Sequence, residues 1–151
     1  MKIKLMPNAP TELDCKIYPL NQRELETLYK YLSEELKKGF IEDGNSPYMS
    51  PTFYIPKKDK GEYHLVVDYQ KLNDVIEKDH YPMPNIQVEL DKLKGKTLFM
   101  KFNMHAGYNN ILMDPKDAYK AAFKTPLETY IPKVMTFSLS GAPSVFQRAM
   151  Y

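Results

Sequence analysis

Residues 100–110, MKFNMHAGYNN, join an alternating apolar run to a Gly-Tyr turn, with the amide of Asn103 standing within the run. A carboxylate would make more chemical sense there. A hard divalent cation such as magnesium favours charged oxygen ligands, and an amide supplies the dipole without the full negative charge. The nearby acids Asp114 and Asp117 fall in the turn DPKD, where a solvated turn acid is the ordinary reading, so neither is promoted to metal ligand. A second group is basic: Lys57, Lys58 and Lys60 lie in PKKDKGE between two β-prone runs, so a hairpin there would carry positive charge at its tip. A solvated turn explains the same lysines. Taken singly, Tyr108 is a half-buried turn aromatic and Gln147 an ordinary helix residue.

Bulk properties narrow the classes. The chain has 151 residues, 43% of them apolar, which suits one domain with a core. Twenty-one Lys and Arg against 19 Asp and Glu leave a charge of only +2, so a nucleic-acid partner would have to be met by local basic patches. Cys15 is the only cysteine, so no intrachain disulfide is possible, and His64, His80 and His105 never pair with it at zinc-ligand spacing. The start MKIKLMPNAP lacks the apolar run of a signal peptide, and no segment approaches a membrane span. The expectation is an intracellular protein, cytoplasmic or nuclear and not secreted.

The elements that must position these residues follow from periodicity. Pro7, Pro10 and Pro19 make residues 1–20 an extended lead-in rather than a packed element, mobile at its start. Leu25, Leu28, Tyr29, Leu32 and Leu36 recur at helical spacing, with Asn21 and Glu24 placed for a capping box and Gly39 for the stop. Strands are expected at 52–55 and 63–69, and a short helix from Ile86 to about Leu93, stopped by Gly95. The alternation from Leu98 to Met104 predicts a strand with Leu98, Met100, Phe102 and Met104 on one face and Phe99, Lys101 and Asn103 on the other. Further strands are expected at 110–113, 119–124 and 133–137, then a helix opened by Ser-Gly-Ala-Pro. The methionines Met100, Met104, Met113, Met135 and Met150 read as adaptable core.

Many ordered blocks together carry a resemblance: KIYPLNQREL, IPKKDKGEYHLVVDYQKLN, HYPMPNIQVELDKLKG, FMKFNMHAGYNNI, AAFKT, VMTFSL and GAPSVFQRAM. Over residues 16–151 the chain resembles the reverse transcriptase of a gypsy-type LTR retrotransposon polyprotein. The resemblance implies an α+β chain, a partial right-hand polymerase fold of antiparallel strands and flanking helices. Residues 1–20 would be the lead-in and 21–151 a truncated reverse transcriptase domain. Fingers would occupy about 21–85 and 114–139, and the first part of the palm about 86–113 and 140–151.

The same resemblance implies a nucleotidyltransferase working on an RNA or DNA template-primer and a dNTP with Mg2+, as part of a Gag-Pol polyprotein. It places a metal-ligating aspartate where this chain has Asn103, and a ribonucleotide-excluding aromatic at Tyr108. It places a triphosphate-binding arginine where this chain has His64. Lys57 and Lys58 match basic residues at the fingers tip, and Asp68, Tyr69, Leu72 and Asn73 match the fingers strand that closes on the nucleotide. Gln147 matches a glutamine contacting template and nucleotide, and Phe146 its packing neighbour. A Phe-Gly-Leu turn reads Phe137-Ser138-Leu139 here.

Asn103 removes one metal-binding charge, His64 replaces a permanently charged bidentate clamp with an imidazole, and the paired aspartates of a Tyr-x-Asp-Asp motif are not in the chain. The expectation is a chain that holds no metal productively and does not polymerise DNA. Two other readings stand beside it. One is a nucleic-acid-binding module that uses Lys57, Lys58, Lys60 and Lys101 with Tyr54 and Tyr108. The other is an active polymerase completed by a longer polyprotein.

Overall fold

A computed structural model describes residues 1–56 and 63–150. The first element, α1 (Gln22–Lys38), forms as its spacing requires. The Asn21 side chain accepts from the Glu24 backbone N–H, the Glu24 carboxylate accepts from the Asn21 N–H, and both bonds measure 2.9 Å. Gly39 ends it with φ +71°, a left-handed conformation in which a side chain would be strained. Only Leu28 and Leu32 of the leucine stripe are fully buried; Tyr29 and Leu36 face solvent.

Five strands follow among the described residues: β1 (Ile41–Asp43), β2 (Ser50–Pro56), β3 (Tyr63–Val67), β4 (Phe123–Lys124) and β5 (Thr129–Pro132), in sheet order β1-β5-β4-β2-β3. The β2–β3 hairpin pairs Phe53 with Val66 and Ile55 with His64. Leu28 and Leu32 pack with Ile41, Phe123 and Tyr130, which fastens α1 to the sheet. Helices α2 (Gln70–Asn73), α3 (Ile86–Lys92) and α4 (Ala142–Met150) complete the list, with single 3-10 turns at Gly107–Asn110 and Ala118–Ala121.

The second core gathers Ile3, Tyr69, Leu72, Ile76, Met113, Met135, Leu139 and Ala142. Residues 1–20 are therefore not an unpacked lead-in. Ile3 is 1% exposed, its N–H donates to Asp117 Oδ2 at 3.1 Å, and Met6 N–H reaches Val75 O. Lys120 Nζ binds both Asp117 Oδ1 at 2.6 Å and Ile3 O at 2.9 Å, so the acid read as a solvated turn residue is a clamp on the N-terminal segment.

The sheet is mixed rather than antiparallel throughout, because β2 and β4 run parallel, with Ser50 opposite Phe123. The strand expected at 133–137 lies earlier, at Thr129–Pro132, where it pairs with both β1 and β4. Residues 110–113 contribute one bridge, Leu112 to Val134, and Ala118–Ala121 curl into a 3-10 turn before β4. Residues 98–104 form no strand. They are exposed, and no other segment among the described residues pairs with them in a ladder, which is what turns alternation into a strand. Of the five methionines expected as core, Met113 and Met135 are buried, whereas Met100, Met104 and Met150 are exposed.

The two kinds of leucine should behave differently. Leu28→Ala, wholly buried against the sheet, should cost roughly 2–5 kcal/mol in urea unfolding, whereas exposed Leu98→Ala should stay within about 0.5 kcal/mol. A large loss at Leu98 would return residues 98–104 to the core.

Candidate functional site

The site is built around three aromatic rings. The Gly107–Asn110 turn carries Tyr108, whose half-buried ring packs on Phe137 at a centroid distance of 4.9 Å and on Phe146 of α4 at 5.1 Å. A Cβ at Gly107 would lie 3.3 Å from Phe146 Cζ, a tight contact to which the ring would have to yield by a few tenths of an ångström. Asn110 Nδ2 donates to Ala106 O at 3.3 Å and to Gly107 O at 3.4 Å, tightening the same turn.

Tyr108 and Phe137 each lie within two residues of an unusual backbone conformation. Ala106, before Gly107, has φ +48°, and Ser138, after Phe137, has φ +71°; they are the two non-glycine residues with positive φ among those described. Left-handed backbone costs an L residue about 1–2 kcal/mol, so neighbouring contacts must hold it. Asn73 supplies them at Ser138. Its Nδ2 donates to Ser138 O at 2.7 Å, and its Oδ1 accepts from Ser140 N–H at 2.9 Å.

Asn73 is itself placed by the core. Tyr69, 1% exposed, lies one helical turn earlier and donates its hydroxyl to Ala121 O at 2.8 Å, while burial raises its phenol well above the ordinary tyrosine range. Leu72 is equally buried. Asp68 is engaged locally: its Oδ1 accepts from Gln70 N–H at 3.0 Å and its N–H donates to Pro51 O at 2.8 Å.

A groove of about 650 Å³ opens between α1, the β2–β3 hairpin and residues 134–138, with Tyr31, Glu35, Tyr54, His64, Phe137 and Ser138 among its walls. His64 is exposed on β3 and so shares this groove with Phe137. Tyr54 is no open stacking surface. It packs edge-on against Tyr63 at 5.9 Å, and its buried hydroxyl has no hydrogen-bond partner among the described residues. Burial, with the charge of Glu24 adding to it, pushes its phenol up to about 12.

Gln147 is half-buried on α4 beside Phe146. The next residue fixes the approach to α3: Arg148 Nη2 contacts both Asp79 carboxylate oxygens at 3.1 and 3.3 Å, and its guanidinium lies 4.7 Å from the Tyr81 ring centre. Lys57, Lys58 and Lys60 lie outside the described residues. Asn103 is exposed, three residues before Ala106. No group of three or more His, Cys, Asp or Glu side chains among the described residues could hold a metal ion. Asn103 adds a neutral amide and no carboxylate, so the described residues do not fit a magnesium site.

The comparisons with known proteins agree with the blocks seen in the sequence. The family model described as "Reverse transcriptase (RNA-dependent DNA polymerase)" matches residues 55–151. The "Retrovirus-related Pol polyprotein from transposon 297" of Drosophila melanogaster is 38% identical over 147 residues, covering 95% of this chain and 14% of that polyprotein. The corresponding polyprotein from Drosophila transposon opus is 34% identical over 152 residues, covering 98% of this chain and 15% of its own length. The "Transposon Tf2-3 polyprotein" of Schizosaccharomyces pombe is 32% identical over 135 residues, covering 89% of this chain and 10% of its own length. The chain thus belongs to the reverse transcriptase family, with its relatives among the Pol polyproteins of LTR retrotransposons, and spans a small fraction of their length. Among its described residues no helix is long and apolar enough to cross a membrane.

Sequence reasoning singled out Tyr108, Phe146 and Gln147 as candidates, and noted the serine in Phe137-Ser138-Leu139. It missed the stacking of Phe137 on Tyr108 and the clamp from Asn73, which joins residues 65 positions apart. The left-handed Ser138 yields a direct test. Ser138→Gly removes about 1–2 kcal/mol of strain against roughly 0.5–1 kcal/mol of added chain entropy. The variant should unfold at higher urea, by about 0.5–1 kcal/mol. A variant less stable than the native chain would show that Ser138 is not strained.

Proposed function

We propose that this chain is the fingers and first palm portion of a gypsy-type RNA-directed DNA polymerase, that it retains the frame of the nucleotide site, and that it has lost the charge needed for nucleotide addition. The division is residues 21–85 and 114–139 as fingers, with 86–113 and 140–151 as palm. The observation that carries the loss of activity is the neutral, exposed Asn103, standing where the family resemblance expects the first metal-ligating aspartate.

In this reading Tyr108, backed by Phe137 and Phe146, is the surface against which the sugar of an incoming dNTP would rest. The fixed 3-10 turn lets that ring exclude a bulkier sugar by shape alone. His64 on β3 would face the triphosphate, assisted by Lys57 and Lys58, with Asp68 holding the end of the fingers strand. The imidazole cannot supply the planar two-pronged donor set of a guanidinium, so phosphate would be held less firmly. Gln147 on α4 lies beside the aromatic cluster and would touch template or nucleotide. The partners are a template-primer, a dNTP and the remainder of a Gag-Pol polyprotein, in an intracellular compartment.

In this family Mg2+ stabilises the attacking and leaving oxygens of phosphoryl transfer, and carboxylates must hold it. The test is primer extension on an RNA template with Mg2+, using a completed Pol polyprotein that carries residues 1–151 in native form or with Asn103→Asp. The native form should show background incorporation, and Asn103→Asp should raise it by at least roughly a hundredfold. Equal, robust extension by both forms would overturn the proposal of lost activity.

A further inference from the structure

The three rings of the candidate site are not held equally. Tyr108 belongs to the Gly107–Asn110 turn and Phe146 to α4, so regular backbone hydrogen bonds fix both. Phe137 belongs to no helix or strand and is 63% exposed, yet it lies 4.9 Å from Tyr108 with the ring planes 32° apart. An exposed ring keeps such a contact only if its backbone is fixed from elsewhere, because backbone and side-chain freedom oppose it. The next residue, Ser138 at φ +71°, is in a conformation that an L residue leaves unless it is held.

The holding group is one carboxamide. Asn73 Nδ2 donates to Ser138 O at 2.7 Å and Asn73 Oδ1 accepts from Ser140 N–H at 2.9 Å, so the donor and acceptor of a single planar group span the turn. Asn73 is in turn firmly carried. It ends α2, its N–H donates to Tyr69 O at 2.7 Å, and Tyr69 and Leu72 are each 1% exposed. Both functions of the amide are used: an aspartate would keep the acceptor but turn a second oxygen toward Ser138 O.

We propose that Asn73 is a positioning residue for the aromatic site, pinning the Phe137-Ser138 turn against Tyr108 and thereby setting how strictly a nucleotide's sugar is selected. The inference rests on the reading of Tyr108 as the surface for the sugar of an incoming dNTP. With the amide gone, Ser138 relaxes toward negative φ, Phe137 leaves its contact, and Tyr108 keeps Phe146 alone as an aromatic support. A 2′-hydroxyl then meets a wall that yields. The loss is one of discrimination, a difference between two substrates. A purely structural defect would instead lower the amount of working protein and both rates alike.

The experiment has two arms. In the first, the folded chain carries para-fluorophenylalanine and is followed by fluorine NMR, with the Phe137 signal assigned by its loss in Phe137→Leu. Asn73→Ala should move that signal to the position of an unpacked ring and leave the signal of Phe123, buried against α1, in place. In the second, the completed Pol polyprotein bearing Asn103→Asp extends a primer with dNTP or rNTP. Asn73→Ala should cut the dNTP-to-rNTP ratio of kcat/KM by at least about tenfold. Phe137→Ala should cut it as far, and the double variant no further than either, because both act through one contact. Should Asn73→Ala fold poorly, Asn73→Asp, which keeps the bond to Ser140 N–H, should shift signal and ratio in the same directions. An unmoved Phe137 signal, an unchanged ratio while both rates fall, or losses that multiply in the double variant would each overturn the proposal. Background extension by the Asn103→Asp form would sink the reading of the site instead, and the fluorine signal would still judge the hold of Asn73 on Phe137.

Discussion

Tyr69 is the hinge pin of the chain. Its ring lies in the core with Ile3, Leu72, Met135 and Leu139, and its hydroxyl donates to Ala121 O at 2.8 Å, so one side chain ties the end of the β2–β3 hairpin to the N-terminal segment and to the turn before β4. An acceptor buried at such a position is costly to leave unpaired, which makes this bond worth more to the fold than an exposed one. Everything at the site is set from there. Asn73, one turn of helix beyond Tyr69, fixes residues 138–140, and that turn presents Phe137 to Tyr108.

The site therefore rests on packing and backbone hydrogen bonds, and on little charge. Tyr69, Leu72, Asn73, Gly107, Tyr108 and Phe146 are all held by contacts within the described chain. Asn103 is outside that network: it is exposed, and no core residue depends on it. An aspartate could become an asparagine there without loosening the frame, because exposed substitutions away from caps and special backbone positions seldom move stability by more than about 0.5 kcal/mol. Shape and chemical capacity can separate at such a position, and this separation is the core of the proposed function.

What the sequence revealed follows the range of the forces involved. Helix α1, its capping box and its glycine stop depend on residues within a few positions of one another, and all were legible. Strand β5 lies earlier than its pattern suggests because YIPKVMTF is apolar on both sides of Lys133, so its phase is fixed only by distant partners at Ile41–Asp43 and Phe123–Lys124. The parallel pairing of β2 with β4 leaves no trace in periodicity. Ile3 was missed because one buried side chain between prolines makes no pattern. At the site, the Gly-Tyr turn and α4 were visible as ordered blocks, whereas the Asn73 clamp exists only once the chain has folded.

The central claim, a polymerase frame without its metal charge, is tested most directly by titrating Mn2+, a paramagnetic stand-in for Mg2+, into a completed polymerase domain that carries residues 1–151 and supplies the further carboxylates, and counting free ion by electron paramagnetic resonance. The native form should bind Mn2+ clearly more weakly than the Asn103→Asp form. A native chain that takes up one Mn2+ per molecule, with an affinity that Asn103→Asp leaves unchanged, would contradict the claim.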